Sequence, residues 1–441
     1  MTTLHALGIG PATIILFASM IALLLVGMPL GFLSGLVALL LAYFWFGSGV
    51  VLQMVAARVS DFTMSYVFVA VPMFVLMASM LDKTGIAKDL YNAMRIVAGR
   101  LRGGVAVQSM IVAVLMAAMS GIIGGETVLL GMLALPQMLR LGYDRNLAIG
   151  TVVAGGALGT MVPPSIVLII YGLSANVSVG DLFVAAVPAA VLLAGLYVAY
   201  ILAVCHLRPE AGPPIDHSEL ANLSREDRKK VARDIFIPVL IAGWVLGSIY
   251  GGIASVTESA CTGVVAVMLA ALYRRELSGG IVYGALKQTI RTVGMIIWVG
   301  IGATMIIGTY NLMGGDQFIK GLIVGQNLPP LTVILMMMAI LLFLGMFLDW
   351  VGIALLCMPI FVPIVTDLGY DPIWFGVLFC VNMQVSFLSP PFGPAAFYLK
   401  SVAPPGIELT HIFRSVWPFI AMQVVVLAVV MLFPRFTLMM L

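Results

Sequence analysis

Charge is what this sequence lacks most. Of its 441 residues, 9% are Asp, Glu, Lys or Arg, where an ordinary globular domain carries roughly 25%. With 62% of the chain hydrophobic, no soluble arrangement keeps that much apolar surface from water, so its solvent is a bilayer. Cysteine is nearly as scarce. Cys205, Cys261, Cys357 and Cys380 lie scattered in apolar segments with no C-x-x-C pair. That excludes a disulfide framework and a metal knuckle, and leaves them as small buried hydrophobes. The histidines, His5, His206, His217 and His411, lie near segment ends and share no helical spacing, so no metal site and no cofactor is expected. The net charge of +3 comes with no basic patch interleaved with aromatics, so no nucleic-acid partner is expected. H-E-x-x-H and G-x-S-x-G are absent. No basic region precedes the long first apolar stretch, which reads as a retained helix rather than a cleaved signal.

What is present is apolar length. A membrane-spanning helix needs about 20 such residues. Candidate spans fall at 12–27, 29–47, 64–82, 103–140, 146–173, 181–205, 234–250, 253–273, 292–313, 331–367, 373–399 and 410–433. The chain is therefore an all-α polytopic membrane protein. Two segments, 103–140 and 331–367, are too long for one crossing and too short for two with a loop. Each carries polar residues or glycine in its middle and reads as a re-entrant hairpin. The basic stretches 83–102 and 206–233, with Arg274 and Arg275, belong in the cytoplasm. Arg140 and Arg145 put the mouth of the first hairpin there too, whereas the flanks of the second hold no Lys or Arg and open outward.

An internal repeat links the two hairpins. "LGYD" occurs at 141–144 and at 368–371, an offset of 227. At that offset Pro136, Pro163 and Pro164 match Pro363, Pro390 and Pro391. Thus "GTMVPPS" at 159–165 has a partner in "SFLSPPF" at 386–392, and the copies fall on opposite faces by the charge count. Inverted-topology repeats mark transporters, whose sites lie at broken helices in corresponding positions of the two halves. Irregular backbone at membrane depth is tolerated where it is buried in protein or lines a cavity. The chain divides into N-terminal scaffold helices (1–60), a first inverted repeat (61–206), a cytoplasmic connecting loop (207–233), scaffold helices with an amphipathic segment (234–291) and a second inverted repeat (292–441).

Chemistry-bearing groups cluster at the hairpin tips. The first tip, "MSGIIGGET", offers Ser120, Gly121, Gly125, Glu126 and Thr127. Its glycines permit tight turns, and its oxygens suit a hard cation. Glu126 sits where a helix dipole favours a carboxylate; capping is its alternative role. The second tip, "FLDWVG", places Asp349 in a long apolar run, where an acid is a functional candidate or a helix cap. Ser255-x-x-Glu258 reads as a capping box. Tyr143, Asp144, Tyr370 and Asp371 read as helix-end structure. No arginine lies deep in an apolar segment, so an anionic solute would rely on bound cations, helix ends and groups such as Asn382 and Gln384.

The stretches "AAMSGIIGGETVLLGMLALPQMLRLGYDRNLAIGTVVAGGALGTMVPPSIVLIIYG", "GGIASVTESACTG" and "FLDWVGIALLCMPIFVPIVTDLGYDPIWFGVLFCVNMQVSFLSPPFGPAAFY" resemble the large membrane subunit (the M-type permease) of the tripartite ATP-independent periplasmic (TRAP) transporters, over nearly the whole chain. The hairpin-then-broken-helix layout is also similar to the divalent-anion/sodium symporter fold. The resemblance implies an elevator-type carrier in the bacterial inner membrane. It implies a separate small four-helix membrane subunit and a periplasmic binding protein that delivers an organic acid, such as a C4-dicarboxylate or a sugar acid. By position it implies a first Na+ site from Ser120, Gly121, Gly159, Thr160 and Pro163, and a second from Asp349, Ser386, Ser389 and Pro390. Gly125, Glu126, Thr127, Ser165, Asn382 and Gln384 are the candidates for contacting the solute. Glu126 departs from the small-residue tip usual in the family.

The leading expectation is Na+-coupled uptake of a carboxylated solute, with no enzymatic activity. Serine and backbone oxygens favour Na+, while Asp349 and Glu126 keep H+ open. The alternative is a free-standing Na+ or H+/anion symporter that needs no binding protein. A channel suits inverted hairpins less well. "GGD" at 314–316 and the Tyr-Asp pairs suggest an intramembrane aspartyl protease, but Asp144, Asp316 and Asp371 fall at segment ends.

Overall fold

The computed structural model describes residues 6–98, 101–121, 124–214, 225–324, 328–391 and 393–441, and their regular structure is all helical. Seven helices in these residues are long and apolar enough to cross a membrane. Three helices come first: α1 (Ile9–Leu25), α2 (Leu30–Phe46) and α3 (Ser48–Thr63). They are followed by α4 (Ala70–Lys83) and the short α5 (Ile86–Ala98). The basic stretch after residue 83, placed only by its charge, contains this helix: Ile86, Ala87, Leu90, Tyr91 and Ala93 are buried along one side of α5, the spacing of an amphipathic helix. The sequence also gave no span for α3.

The first expected hairpin is α6 (Gly104–Ser120) and α7 (Gly125–Arg140). Gly121 ends α6 in the left-handed region at φ 58°, and Gly124 precedes α7 at φ 99°. The second is α15 (Pro330–Gly345) and α16 (Trp350–Asp367), with Asp349 as the cap of α16. "LGYD" explains itself at the end of each hairpin. Gly142 and Gly369 take φ 81° and 83°. The N–H of Gly142 donates to Leu139 and that of Tyr143 to Met138; Gly369 and Tyr370 donate likewise to Thr366 and Val365. That is a Schellman ending, which satisfies the last carbonyls of the helix. Asp144 and Asp371 then cap the next helix, accepting from Leu147 at 2.8 Å and Ile373 at 2.7 Å.

Those next helices are the broken ones. In the first half, α8 (Arg145–Ala157) passes through a 3-10 turn and the "MVPPS" stretch into α9 (Ile166–Ala175). In the second, α17 (Pro372–Leu388) breaks before α18 (Pro394–Val402). The Pro163–Pro164 and Pro390–Pro391 peptides are both cis. Each half closes with a long helix, α10 (Val179–Leu207) and α19 (Leu409–Leu432), the latter followed by α20 (Pro434–Leu438).

Packing between the halves is reciprocal. α7 lies on α18 as α16 lies on α9, and α8 lies on α19 as α17 lies on α10. Such exchange is the mark of a two-fold relation between repeats. The remaining helices are α11 (Arg225–Tyr250), α12 (Val256–Tyr273), the 34-residue α13 (Gly279–Leu312) and α14 (Gly315–Val324). α11 takes up part of the expected loop, and α13 starts well before the expected span at 292. The capping box Ser255–Glu258 is present at the start of α12. α2 and α13 approach backbone to backbone: a Cβ on Gly31 would meet the Trp298 carbonyl at 2.6 Å. Small residues permit such contact between membrane helices. α4 and α13 pack together and flank the hairpin tips.

Candidate functional site

Each tip docks on the break of its own half. At the first, the Ile166 N–H donates to the Gly121 carbonyl at 3.4 Å. A Cβ on Gly121 would meet the Pro164 carbonyl at 2.5 Å, so only glycine allows this approach. Ser120 ends α6, and its hydroxyl donates to the Glu126 carboxylate. Glu126 makes no capping bond to its helix. It reaches instead toward Gly159, where a Cβ would lie 3.0 Å from both carboxylate oxygens. Glu126 is 1% exposed, and its Oε2 has no hydrogen-bond partner among the described residues. The structure thus brings Ser120, Gly121 and Gly159 together around a carboxylate.

Thr160 is committed elsewhere. Its hydroxyl donates to the Ala157 carbonyl at 3.0 Å and accepts from Gln384 Nε2 at 2.6 Å. Its carbonyl accepts from Ser165 Oγ and from Cys380 Sγ. Pro163 stands in the cis Pro-Pro step of the same break. Gln384 also donates to the Ala157 carbonyl at 2.8 Å, and Asn382 donates to the Met338 carbonyl at 3.0 Å. These amides and Ser165 satisfy carbonyls between helices, as buried polar groups must, and none of the three lines the cavity described below. Thr127 packs on Gly156 and does not line it either.

At the second tip Asp349 accepts from the Val351 N–H at 3.1 Å, so it is a helix cap. Ser386 packs on Gly345, where a Cβ would come within 2.5 Å of its hydroxyl. The Ser386 hydroxyl donates to the Asn382 carbonyl at 3.2 Å, and that of Ser389 to Val385 at 2.7 Å. Pro390 holds the position matching Pro163.

Both tips open on one cavity of about 250 Å3. Ser120, Gly125 and Glu126 line it from the first tip, and Asp349 and Trp350 from the second. α13 contributes Gln288 and Thr292, α18 contributes Tyr398, and α4 contributes Ser79 and Asp82. Gly125 lies against Asp82, whose Oδ2 would be 3.3 Å from a Cβ there. Three carboxylates line the cavity, and among the described residues no Lys, Arg or His does. Sequence reasoning missed Asp82 and Ser79. Asp82 stands beside Lys83 at the end of an apolar run and reads there as a span's edge. No sequence pattern marked it: Gly85 and Gly314 both take positive φ just after α4 and α13, but they do not fall at the 227-residue offset.

The comparisons with known proteins agree with this architecture. The family described as "Tripartite ATP-independent periplasmic transporter, DctM component" matches residues 17–436. The chain is 29% identical to the sialic acid TRAP transporter large permease protein SiaM of Vibrio cholerae over 427 residues, covering 95% of this chain and 96% of that one. It is 30% identical to the ectoine/5-hydroxyectoine TRAP transporter large permease protein UehC of Ruegeria pomeroyi over 375 residues, 84% and 85% of the two chains. The crystal structure of the Alcanivorax borkumensis YdaH transporter shares the fold, with a TM-score of 0.67 over 89% of each chain at 14% identity.

Proposed function

The chain belongs to the DctM component family of the tripartite ATP-independent periplasmic transporters, and from that premise we propose Na+-coupled uptake of a carboxylated solute by an elevator motion. It is a multi-pass protein of the bacterial inner membrane, and its relatives are named as transporter permeases, not enzymes. Asp144 and Asp371 cap helices, which removes the reason for reading a protease. The large-permease name implies a small membrane subunit and a periplasmic binding protein as partners. In this reading the binding protein delivers the solute and the small subunit extends the scaffold.

One observation carries the proposal: two hairpin tips, each packed on a broken helix of its own half, share one cavity. The mobile body comprises both hairpins and both broken helices, moving along α4 and α13. Cations enter at the tips, where hydroxyl, carboxylate and carbonyl oxygens are the ligands a hard cation prefers. The first site takes Ser120 with the backbone of Gly121, Gly159 and Pro163, and Thr160 braces the break beside them. The second takes Asp349, Ser386, Ser389 and Pro390. Gly159 has the space for this: its missing Cβ leaves the carboxylate and the break within contact of each other.

A sodium titration of the purified membrane complex tests the sites. Na+ should raise its thermal stability with the logarithm of its concentration, by about 1.4 kcal/mol per site at ten times the dissociation constant, while K+ and choline should not. Equal stabilisation by all three cations would remove the sodium sites.

A further inference from the structure

The charge of the cavity points to a narrower class of solute. Asp82, Glu126 and Asp349 come from three different elements and line one space. Among the described residues no three His, Cys, Asp or Glu side chains stand close enough to hold one metal ion, so the three acids are spread round the cavity rather than gathered on one cation. Lys83 follows Asp82 and packs along Gly284 of α13; it is not among the lining residues. A lining with three carboxyl groups and no cationic side chain among the described residues disfavours a purely anionic solute, and repulsion of the wrong charge is a general source of selectivity.

Two buried groups are also waiting for partners. Glu126 Oε2 has none among the described residues although the side chain is 1% exposed. Ser79, on the α4 wall and also 1% exposed, leaves its hydroxyl unpaired. A buried polar atom without a partner is unfavourable, and a ligand that supplies N–H donors or a positive charge removes that cost. Tyr398 and Trp350 add aromatic faces to the same space, and such faces attract cations.

We propose that the solute is a zwitterion, whose nitrogen cation seats against Glu126, with Asp82 and Asp349 on neighbouring walls. The proposal rests on the transport reading above and narrows its carboxylated solute to one that also carries a positive charge. Its cation lies toward the unpartnered Glu126 oxygen at the first tip and its carboxylate toward the second tip.

The test is competitive uptake. Large and small membrane subunits with their binding protein are reconstituted in liposomes. They are offered an equimolar mixture of glycine betaine, γ-aminobutyrate, proline, succinate, malate and gluconate under an inward Na+ gradient, and accumulated solutes are identified by mass spectrometry. γ-Aminobutyrate and succinate are a matched pair, differing by an ammonium in place of one carboxylate. Accumulation confined to the zwitterions is expected. Glu126→Gln should then raise the KM for the accumulated zwitterion by about tenfold or more and narrow its preference over succinate. Asp82→Asn, at the edge of the cavity and outside the tips, should do the same more weakly, and serves if Glu126→Gln fails to fold. Accumulation of succinate, malate or gluconate in preference to the zwitterions overturns the proposal and leaves the transport reading intact. So does a Glu126→Gln variant whose Na+ dependence shifts while its solute preference stays. Accumulation of none of the six with Na+ and binding protein present counts against the transport reading itself, and with it against this one.

Discussion

Gln384 donates its side-chain amide to the carbonyl of Ala157, 2.8 Å away, and the two residues are separated by 227 positions. That is the offset of the internal repeat. Residues at matching positions of two repeats related by a two-fold can touch where the axis passes between them, so this bond marks the axis. It lies between the two broken helices. The same amide bonds the Thr160 hydroxyl at 2.6 Å, so one side chain satisfies two acceptors at the end of α8.

Gln384→Ala should therefore destabilise the transporter. It removes the bonds to the Ala157 carbonyl and the Thr160 hydroxyl and the one accepted from the buried Gln423 amide, a cost of about 1–3 kcal/mol. A lower apparent unfolding temperature in detergent, with sodium affinity largely kept, is the expected result. Unchanged stability would show that the bond does not tie the halves together.

Asp349 is both a helix cap and a proposed cation ligand, and two substitutions separate the roles. Asparagine caps as well as aspartate, while alanine costs about 1 kcal/mol at such a position. Asp349→Asn should keep the stability of the sodium-free protein but weaken the sodium response. Asp349→Ala should lose both. A sodium titration of Asp349→Asn matching the wild type would leave Asp349 as a cap alone.

Gly121→Ala should uncouple the first tip from its break. Its φ of 58° costs an L-residue about 1 kcal/mol, and the added Cβ would press on the Pro164 carbonyl at 2.5 Å. Sodium-dependent stabilisation should fall markedly in thermal melts run against a potassium control. A response equal to the wild type would place the cation elsewhere.

Much of this was legible in the sequence, and the reasons are local. "LGYD" carries a helix ending and a helix cap in four residues, so its recurrence fixed the register of both halves. Paired prolines announced both breaks because proline removes a donor and blocks the preceding turn. The cavity's other walls were not legible. Asp82 is an acid at the end of an apolar run, and only the docking of α4 against Gly125 gives it a place in the site. Asn382 and Gln384 were expected at the solute, since a buried amide in a transporter suggests binding. They were claimed instead by carbonyls of Met338 and Ala157. Sequence reveals a polar residue but not the unsatisfied backbone group it will face.

Arg274 offers a prediction away from the site. Its side chain is 3% exposed and binds Asp234 at 3.3 Å, Glu276 at 3.0 Å and Asp89, joining α12 to α11 and α5. Asp234 is nearly as buried, with Arg233 also beside it at 3.1 Å. Removing one partner of a buried pair costs about 3–5 kcal/mol, and Arg233 should hold Arg274→Met near the lower figure. Thermal unfolding of Arg274→Met and of Arg274→Met/Asp234→Asn checks it. The double variant should recover part of the loss; no recovery would mean that Arg274 acts through Asp89 and Glu276.

The central claim is that sodium, acting with a delivered solute, drives this carrier. It is tested most directly by uptake into liposomes holding the large and small membrane subunits, with and without an inward Na+ gradient and with and without the binding protein. Accumulation that requires both is the predicted result. Accumulation driven equally well by a pH gradient in sodium-free buffer, or by the membrane subunits alone, would contradict it.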